Sequence, residues 1–339
     1  MNSPKKVTIN IVTWNSRVYL PFCLTSIFQQ KYRNFSVLVI DNGSSDGTIE
    51  YIQKNFPEVK MLRNTQNLGY ARAHNQGIKL TKSEFILIMN PDIILTPDYL
   101  NNIVLEADKQ PDFSFFGGKI LKFHFKPEDL REIEFTDKID SIGLKPFKNR
   151  GFTNEGEGQT DQGQNEAIKE IFGVTGGIIF IKRNDLENLN LIGEYFDEDF
   201  FVYKEDIDLA WRAQLLGIKS LYIPSAVAYH HRQAQAPKSG QWREIIKSRQ
   251  QKAKIINYYS FRNHLFLLIK NEFAFNIFIN FPYIFWLELK KFVYLVIFEF
   301  KTLIVYKQIF QLLPRMLKKR KLVLKSKNIS SKVINKWFV

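Results

Sequence analysis

The sequence predicts an α/β protein: a sheet-centred body flanked by helices, followed by a helical C-terminal extension. Three observations carry this reading. Strand and helix patterns alternate through the first 120 residues. Short polar clusters follow the apolar strand runs at regular places. Beyond Ser239 the composition changes to aromatic, aliphatic and Lys/Arg residues. Alternating strands and helices imply parallel strands with helices on both faces.

The elements follow in order. Val7–Thr13 is a β-rich run, and Val18–Gln29 carries apolar residues at helical spacing, with Cys23 among them as a core residue. Ser36–Ile40 is a strand that ends in Asp41-Asn42-Gly43-Ser44-Ser45-Asp46-Gly47. Thr48–Asn55 reads as a helix stopped at Pro57, Val59–Leu62 as a strand and Tyr70–Leu80 as a helix. Phe85–Met89 is a strand leading into Asn90-Pro91-Asp92, and Pro97–Lys109 is a helix. Residues 122–170 are polar and irregular, and read either as a mobile loop over the site edge or as a surface insertion. A glycine-containing strand is expected at Ile171–Ile181, a helix from Lys204 to Leu216 ended by Gly217, and two short strands, Lys219–Ile223 and Ala226–His230. No internal repeat is present.

Composition narrows the function. One cysteine among 339 residues excludes an internal disulfide framework, and 45% hydrophobic residues supply a core. The net charge of +14 is unevenly placed: residues 241–339 carry +16, and residues 1–240 carry −2. A nucleic-acid reader would more often hold its charge on the folded body, so no nucleic-acid partner is expected. No secretory leader is expected, because Lys5 and Lys6 precede only the short run Val7–Val12. The longest uncharged apolar stretch, Phe273–Leu287, would cover ~22 Å as a helix, against a hydrocarbon core of ~30 Å. A cytoplasmic protein that lies on a membrane fits these features.

In open α/β sheets ligands bind beyond the C-terminal strand ends, where Thr13–Ser16, Asp41–Asp46 and Asn90–Asp92 all fall. Asp41 suits hydrogen bonding to a base or ribose, and equally an Asx turn. Asn15 and Asn67-Leu68-Gly69 are loop residues of the same ambiguity. Asp92, after a buried strand and fixed by Pro91, suits a hard divalent cation bridging a diphosphate, or is simply part of a turn. Glu205-Asp206-Ile207-Asp208 opens a helix, where carboxylates are favoured by the dipole; the aromatic and acidic surround Tyr195–Tyr203 points instead to a general base of raised pKa. His230 and His231 end the last strand of the body, and one imidazole there would complete a metal site; a plain surface histidine is the alternative.

Taken in sequence, these pieces resemble glycosyltransferase family 2, inverting enzymes of GT-A fold, and most closely its bacterial rhamnosyltransferase-like branch. The matching segments are IVTWNS (11–16), VIDNGSSDGT (39–48), NLGYARAHNQGI (67–78), ILIMNPDIIL (86–95), FGVTGG (172–177), EYFDEDFFVYKEDIDLAWRAQLLG (194–217) and AVAYHHR (226–232). The resemblance implies a GT-A Rossmann-like mixed sheet with a nucleotide-sugar half at about 1–120 and an acceptor half at about 121–239. It implies that Thr13, Asn15 and Asp41 face the nucleoside, and that Asn67, Gly69 and Asn75 line the nucleotide-sugar side of the cleft. Asn90 replaces the first carboxylate of the family's metal motif. Asp92 and His230 are then the expected ligands of Mg²⁺ or Mn²⁺, with His231 a competitor. Asp206 matches the catalytic base, beside Glu205. The implied partners are a nucleotide-sugar donor, with dTDP-L-rhamnose favoured, and a lipid-linked or polysaccharide acceptor.

Residues 240–339 match less well. Tyr258–Asn263 contains an Arg-Asn pair common after the catalytic body in this branch. Phe273–Leu313, followed by Lys318-Lys319-Arg320-Lys321, suits helices in an anionic membrane interface, or helices packed on the body with a basic tail. A non-catalytic sugar-nucleotide binder and a nucleic-acid binder using aromatic stacking are the competing classes.

Overall fold

A computed structural model describes residues 5–126, 129–232 and 254–339. The boundary expected at 239/240 lies outside them. The N-terminal body runs β1 (Val7–Thr13), α1 (Leu20–Phe28), β2 (Phe35–Asp41), α2 (Thr48–Asn55), β3 (Lys60–Arg63), α3 (Tyr70–Leu80), β4 (Phe85–Met89), β5 (Ile93–Leu95) and α4 (Tyr99–Lys109). It continues through β6 (Phe113–Lys126), β7 (Asp129–Ser141), β8 (Leu144–Pro146), β9 (Phe152–Asn154), β10 (Lys169–Ile171), β11 (Ile178–Lys182), α5 (Arg183–Asn188), α6 (Glu205–Leu216) and β12 (Lys219–His230).

The main sheet is ordered β10-β12-β6-β11-β4-β1-β2-β3, with β5 added to β12 and β7 to β6. The strands β4, β1, β2 and β3 are parallel, as the alternating pattern predicts. The inserted β11 runs antiparallel to β4 and β6, which makes the sheet mixed. The strands β1, β4 and the C-terminal half of β2 are buried, and apolar side chains of α1 and α4 complete one face of the core.

Three expectations change. Residues 122–170 are not simply irregular: β6 and β7 form a long antiparallel hairpin that begins inside the sheet. The outer part of β7 is polar and largely exposed, so it lacks the one-sided alternation that marks a strand. The strand expected at 171–181 is divided, with β10 and β11 separated by the loop 172–177. The two strands expected around Pro224 are one strand, β12, with a register shift between Ile223 and Val227 against β6.

The C-terminal part forms α7 (Lys254–Asn271), α8 (Ala274–Ile279), α9 (Phe281–Phe298), α10 (Ile304–Ser326) and α11 (Ser331–Asn335). These helices pack on the body through a shared core: Phe261, Phe266, Leu295, Met316 and Phe338 cluster with Phe172, Phe200 and Trp211. Ion pairs reinforce the contact, including a fully buried pair between Arg150 and Glu272. The packed-helix alternative is therefore realised on one face. The other face of α8 and α9 leaves Phe275, Phe278, Phe281, Phe285 and Trp286 exposed. No helix among the described residues is long and apolar enough to cross a membrane.

Candidate active site

The polar strand ends meet at one edge. Thr13 is the register partner of Asp41, and its hydroxyl donates to the Asp41 carboxylate at 3.0 Å. Asp41 also accepts from the backbone N–H groups of Gly43 (3.1 Å) and Ser44 (3.0 Å) and from the Ser44 hydroxyl (2.5 Å). Four bonds saturate a carboxylate that is 1% exposed. Asp41 therefore builds the turn, as the Asx-turn alternative has it. Asn15, at φ 49°, locks the same turn from β1, since its amide oxygen accepts from Ser45 N–H and its own N–H donates to Ser44.

Beside this turn, the Asn67 side chain accepts from Gly69 N–H at 2.8 Å, and Asn42 donates to the Gly69 carbonyl at 3.2 Å. Gly69 has φ +83°, and a Cβ there would lie 2.5 Å from the Phe201 ring, so both conformation and close approach require glycine. Asn75 does not line an open cleft. It is buried, donates to Phe196 carbonyl and accepts from Phe196 N–H, tying α3 to the loop before α6.

The second half of the site gathers around Gly176-Gly177. Asn90 N–H donates to the Gly177 carbonyl at 2.9 Å. The Tyr70 hydroxyl donates to the Gly176 carbonyl at 2.6 Å. Gly176 N–H donates to Asp206, whose other oxygen accepts from Ile207 N–H, each at 2.8 Å. A Cβ on Gly176 would sit 2.9 Å from Asp206, and one on Gly177 would sit 3.2 Å from the His230 ring. The glycine pair is thus the floor on which Asp206 and His230 rest. Burial raises the Tyr70 hydroxyl well above its usual pKa, and the nearby charges of Glu205, Asp206 and Asp92 raise it further.

His230 Nε2 lies 3.3 Å from Asp92 Oδ1, and its Nδ1 lies 2.9 Å from Asp140. Burial alone would lower the imidazole, but Asp92 and Asp140 outweigh it and hold the pKa at about 9. The His231 ring, one residue past the end of β12, packs against Phe123, Phe125 and Tyr19 with Nδ1 3.3 Å from the Phe123 carbonyl. Asp140 also binds Arg232, at 2.8 Å and 3.0 Å.

Among the described residues no three acidic, His or Cys side chains form a complete cage. Asp92 and His230 nevertheless fit a divalent cation. Oδ1 of Asp92 is buried with His230 Nε2 3.3 Å away, and the other ring nitrogen is braced on Asp140, the usual outer-shell partner of a ligating histidine; a bound cation would take the place of the Nε2 proton. Substrate phosphates and water would supply the remaining ligands.

The two acidic residues that open α6 differ. Glu205 is 6% exposed and its pKa is raised well above the usual range, first by burial and then by Asp206. Asp206 is half-buried; burial raises it, against the N–H bonds of Gly176 and Ile207 and the charges of Lys204 and Arg232.

Asp140 and Arg232 are the site residues that sequence reading missed. Asp140 lies in the stretch read as irregular, and nothing in its neighbourhood of Asp, Lys and Thr marks it. Arg232 ends the AVAYHHR segment, where the histidines drew the interest.

A sheet whose acidic edge brings Asp92, His230 and Asp206 around a glycine pair is the architecture of a GT-A glycosyltransferase. The family model for glycosyl transferase family 2 matches residues 8–189, more than half of the chain, and the chain belongs to that family. It is 26% identical over 239 residues, 65% of this chain and 74% of the relative, to N-acetylglucosaminyl-diphospho-decaprenol L-rhamnosyltransferase of Mycobacterium tuberculosis. It is 23% identical over 225 residues, 66% of this chain and 49% of the relative, to poly-beta-1,6-N-acetyl-D-glucosamine synthase of Staphylococcus epidermidis. Its fold is similar to that of GalNAc-T7 solved with UDP, GalNAc and Mn²⁺ (TM-score 0.55, 15% identity), covering 77% of this chain and about half (48%) of that one.

Proposed function

We propose that this protein is an inverting, metal-dependent glycosyltransferase that moves a sugar, L-rhamnose from dTDP-L-rhamnose as the first choice, onto a hydroxyl of a lipid-linked or polysaccharide acceptor in cell-envelope glycan synthesis. The observation that carries the reading is Asp206: a half-buried carboxylate of raised pKa, fixed by Gly176, across the glycine pair from Asp92 and His230. Asp206 takes the proton of the acceptor hydroxyl, which attacks the anomeric carbon from the face opposite the leaving nucleoside diphosphate. The C–O bond to the diphosphate breaks as the new one forms, so the configuration inverts. Mg²⁺ or Mn²⁺ on Asp92 and His230 would neutralise charge on the departing diphosphate. Glu205 buttresses the opening of α6. Thr13, Asn15 and Asp41 shape the turn that receives the nucleoside, Asn67 and Gly69 shape the adjoining wall, and Asn90 ties β4 to Gly177.

The choice of rhamnose rests on the mycobacterial relative. The staphylococcal relative supports a second reading, another UDP- or dTDP-sugar. A panel of labelled nucleotide sugars with Mg²⁺ or Mn²⁺ tests both, and product from none of them would favour a non-catalytic sugar-nucleotide binder.

The working place we propose is the inner face of the bacterial cell membrane. Phe275, Phe278, Phe281, Phe285 and Trp286 are exposed on α8 and α9, with Lys290 5.0 Å from the Trp286 ring, in the part of the chain that carries the basic excess. An apolar face with flanking lysines suits an anionic lipid interface. Flotation with anionic vesicles tests this: the full chain should float, and Phe285→Glu with Trp286→Glu should not.

A further inference from the structure

The segment joining the 3-10 turn Glu198–Phe200 to α6 holds three non-glycine residues at positive φ: Phe201 (62°), Tyr203 (68°) and Lys204 (69°). Such backbone persists only where its surroundings over-determine it. Here the restraint comes from the C-terminal extension. Asn263 Nδ2 on α7 lies 2.9 Å from the carbonyls of Phe200 and Val202 and 2.7 Å from that of Tyr203. Arg262 donates to the carbonyls of Asp199 (2.5 Å) and Phe200 (3.1 Å), and its Nε donates to Asn263 Oδ1 at 3.0 Å. Both side chains are buried. The Tyr259 ring, one turn earlier, stacks on Phe201 at 5.1 Å.

The restrained segment closes a ring of contacts through the candidate active site. Phe201 carbonyl accepts from Tyr70 N–H at 2.7 Å. The Tyr70 hydroxyl donates to the Gly176 carbonyl, and Gly176 N–H donates to Asp206, two residues beyond Lys204. We propose that Arg262 and Asn263 are positioning residues of the transfer site: from α7 they hold the 199–204 backbone in its left-handed turns and so fix where Asp206 sits against Gly176. The extension is then part of the catalytic machinery as well as a docking platform. This rests on the reading of Asp206 as the base.

The test uses the full chain with Asn263→Ala and Arg262→Lys. Three quantities are measured: turnover with the donor found active in the panel, affinity for UDP and dTDP with Mn²⁺, and amide hydrogen exchange over residues 199–206. Loss of the clamp should lower turnover about 100-fold. It should leave nucleotide affinity within about 3-fold and speed exchange within 199–206 only. Wild-type turnover, or unchanged exchange in that segment, overturns the proposal. If Asn263→Ala does not fold, Arg262→Lys and the rim variant Tyr259→Leu are read by the same criteria. An active Asp206→Asn enzyme overturns the base reading instead, and the exchange result then stands on its own as the readout of the clamp.

Discussion

The backbone N–H of Gly176 donates to the Asp206 carboxylate at 2.8 Å, and a methyl group on Gly176 would lie 2.9 Å from the Asp206 side chain. The contact is both a hydrogen bond and a steric fit. It fixes one oxygen of the half-buried carboxylate, and the Ile207 N–H holds the other at 2.8 Å. Glu205, the residue before it, is buried.

Asp206→Asn keeps the shape and removes the proposed base. Transfer should fall by about 10²–10⁴-fold or more, with donor affinity nearly unchanged. With Asp206 as the proposed base, wild-type transfer should rise with pH as Asp206 loses its proton. Because burial raises its pKa, the acid limb of the rate profile should lie above the ordinary carboxylate range. Pre-steady-state product formation across pH reads both.

Gly176→Ala should displace Asp206 without touching its chemistry. About a 100-fold loss of turnover is expected, with binding of UDP or dTDP retained. A Gly176→Ala enzyme with wild-type turnover would show that the carboxylate tolerates the shift.

His230→Ala should weaken Mn²⁺-dependent nucleotide binding by about 100-fold or more, and Asp140→Asn by about 10–100-fold. His231→Ala should leave it unchanged, because that ring packs among Phe123, Phe125 and Tyr19. Titration calorimetry with and without Mn²⁺ separates the three.

Asp197→Ala should cost about 3–5 kcal/mol of stability at neutral pH, because it leaves two buried ammonium groups short of a partner. Asp197 is bound by Lys270 from α7 and Lys319 from α10, each at 2.5 Å. Burial pushes the carboxyl up, but the two lysines outweigh it and hold it below the usual range. The stability it contributes is therefore present above the unfolded pKa of ~3.9 and is lost as pH falls through the lower folded value. Urea unfolding at neutral and acid pH measures it, and the variant should lose this part of the acid dependence.

How much of the site was legible depended on whether the signal was local. Asp92 and His230 each end an apolar strand, and a strand end shows in a few consecutive residues. Asp140 shows no such signal, because it acts by meeting His230 and Arg232 across the β6–β7 hairpin and β12. Asp41 and Asn75 sit in the right segments, yet their polar atoms are spent on Ser44 and Phe196, partners that composition does not reveal.

By itself the sequence determined the α/β class, the parallel strands of the N-terminal half, the edge where the site lies and the family. Each of these follows from periodicity or from short runs of residues in order. The tertiary structure alone decided that β11 enters antiparallel, that His230 rather than His231 faces Asp92, and that the basic extension is anchored through Arg262, Asn263, Lys270 and Lys319. The physical reason is that pairing buried polar groups is a long-range choice. Any of several lysines or histidines satisfies the local pattern, and only the packed chain shows which of them found a partner.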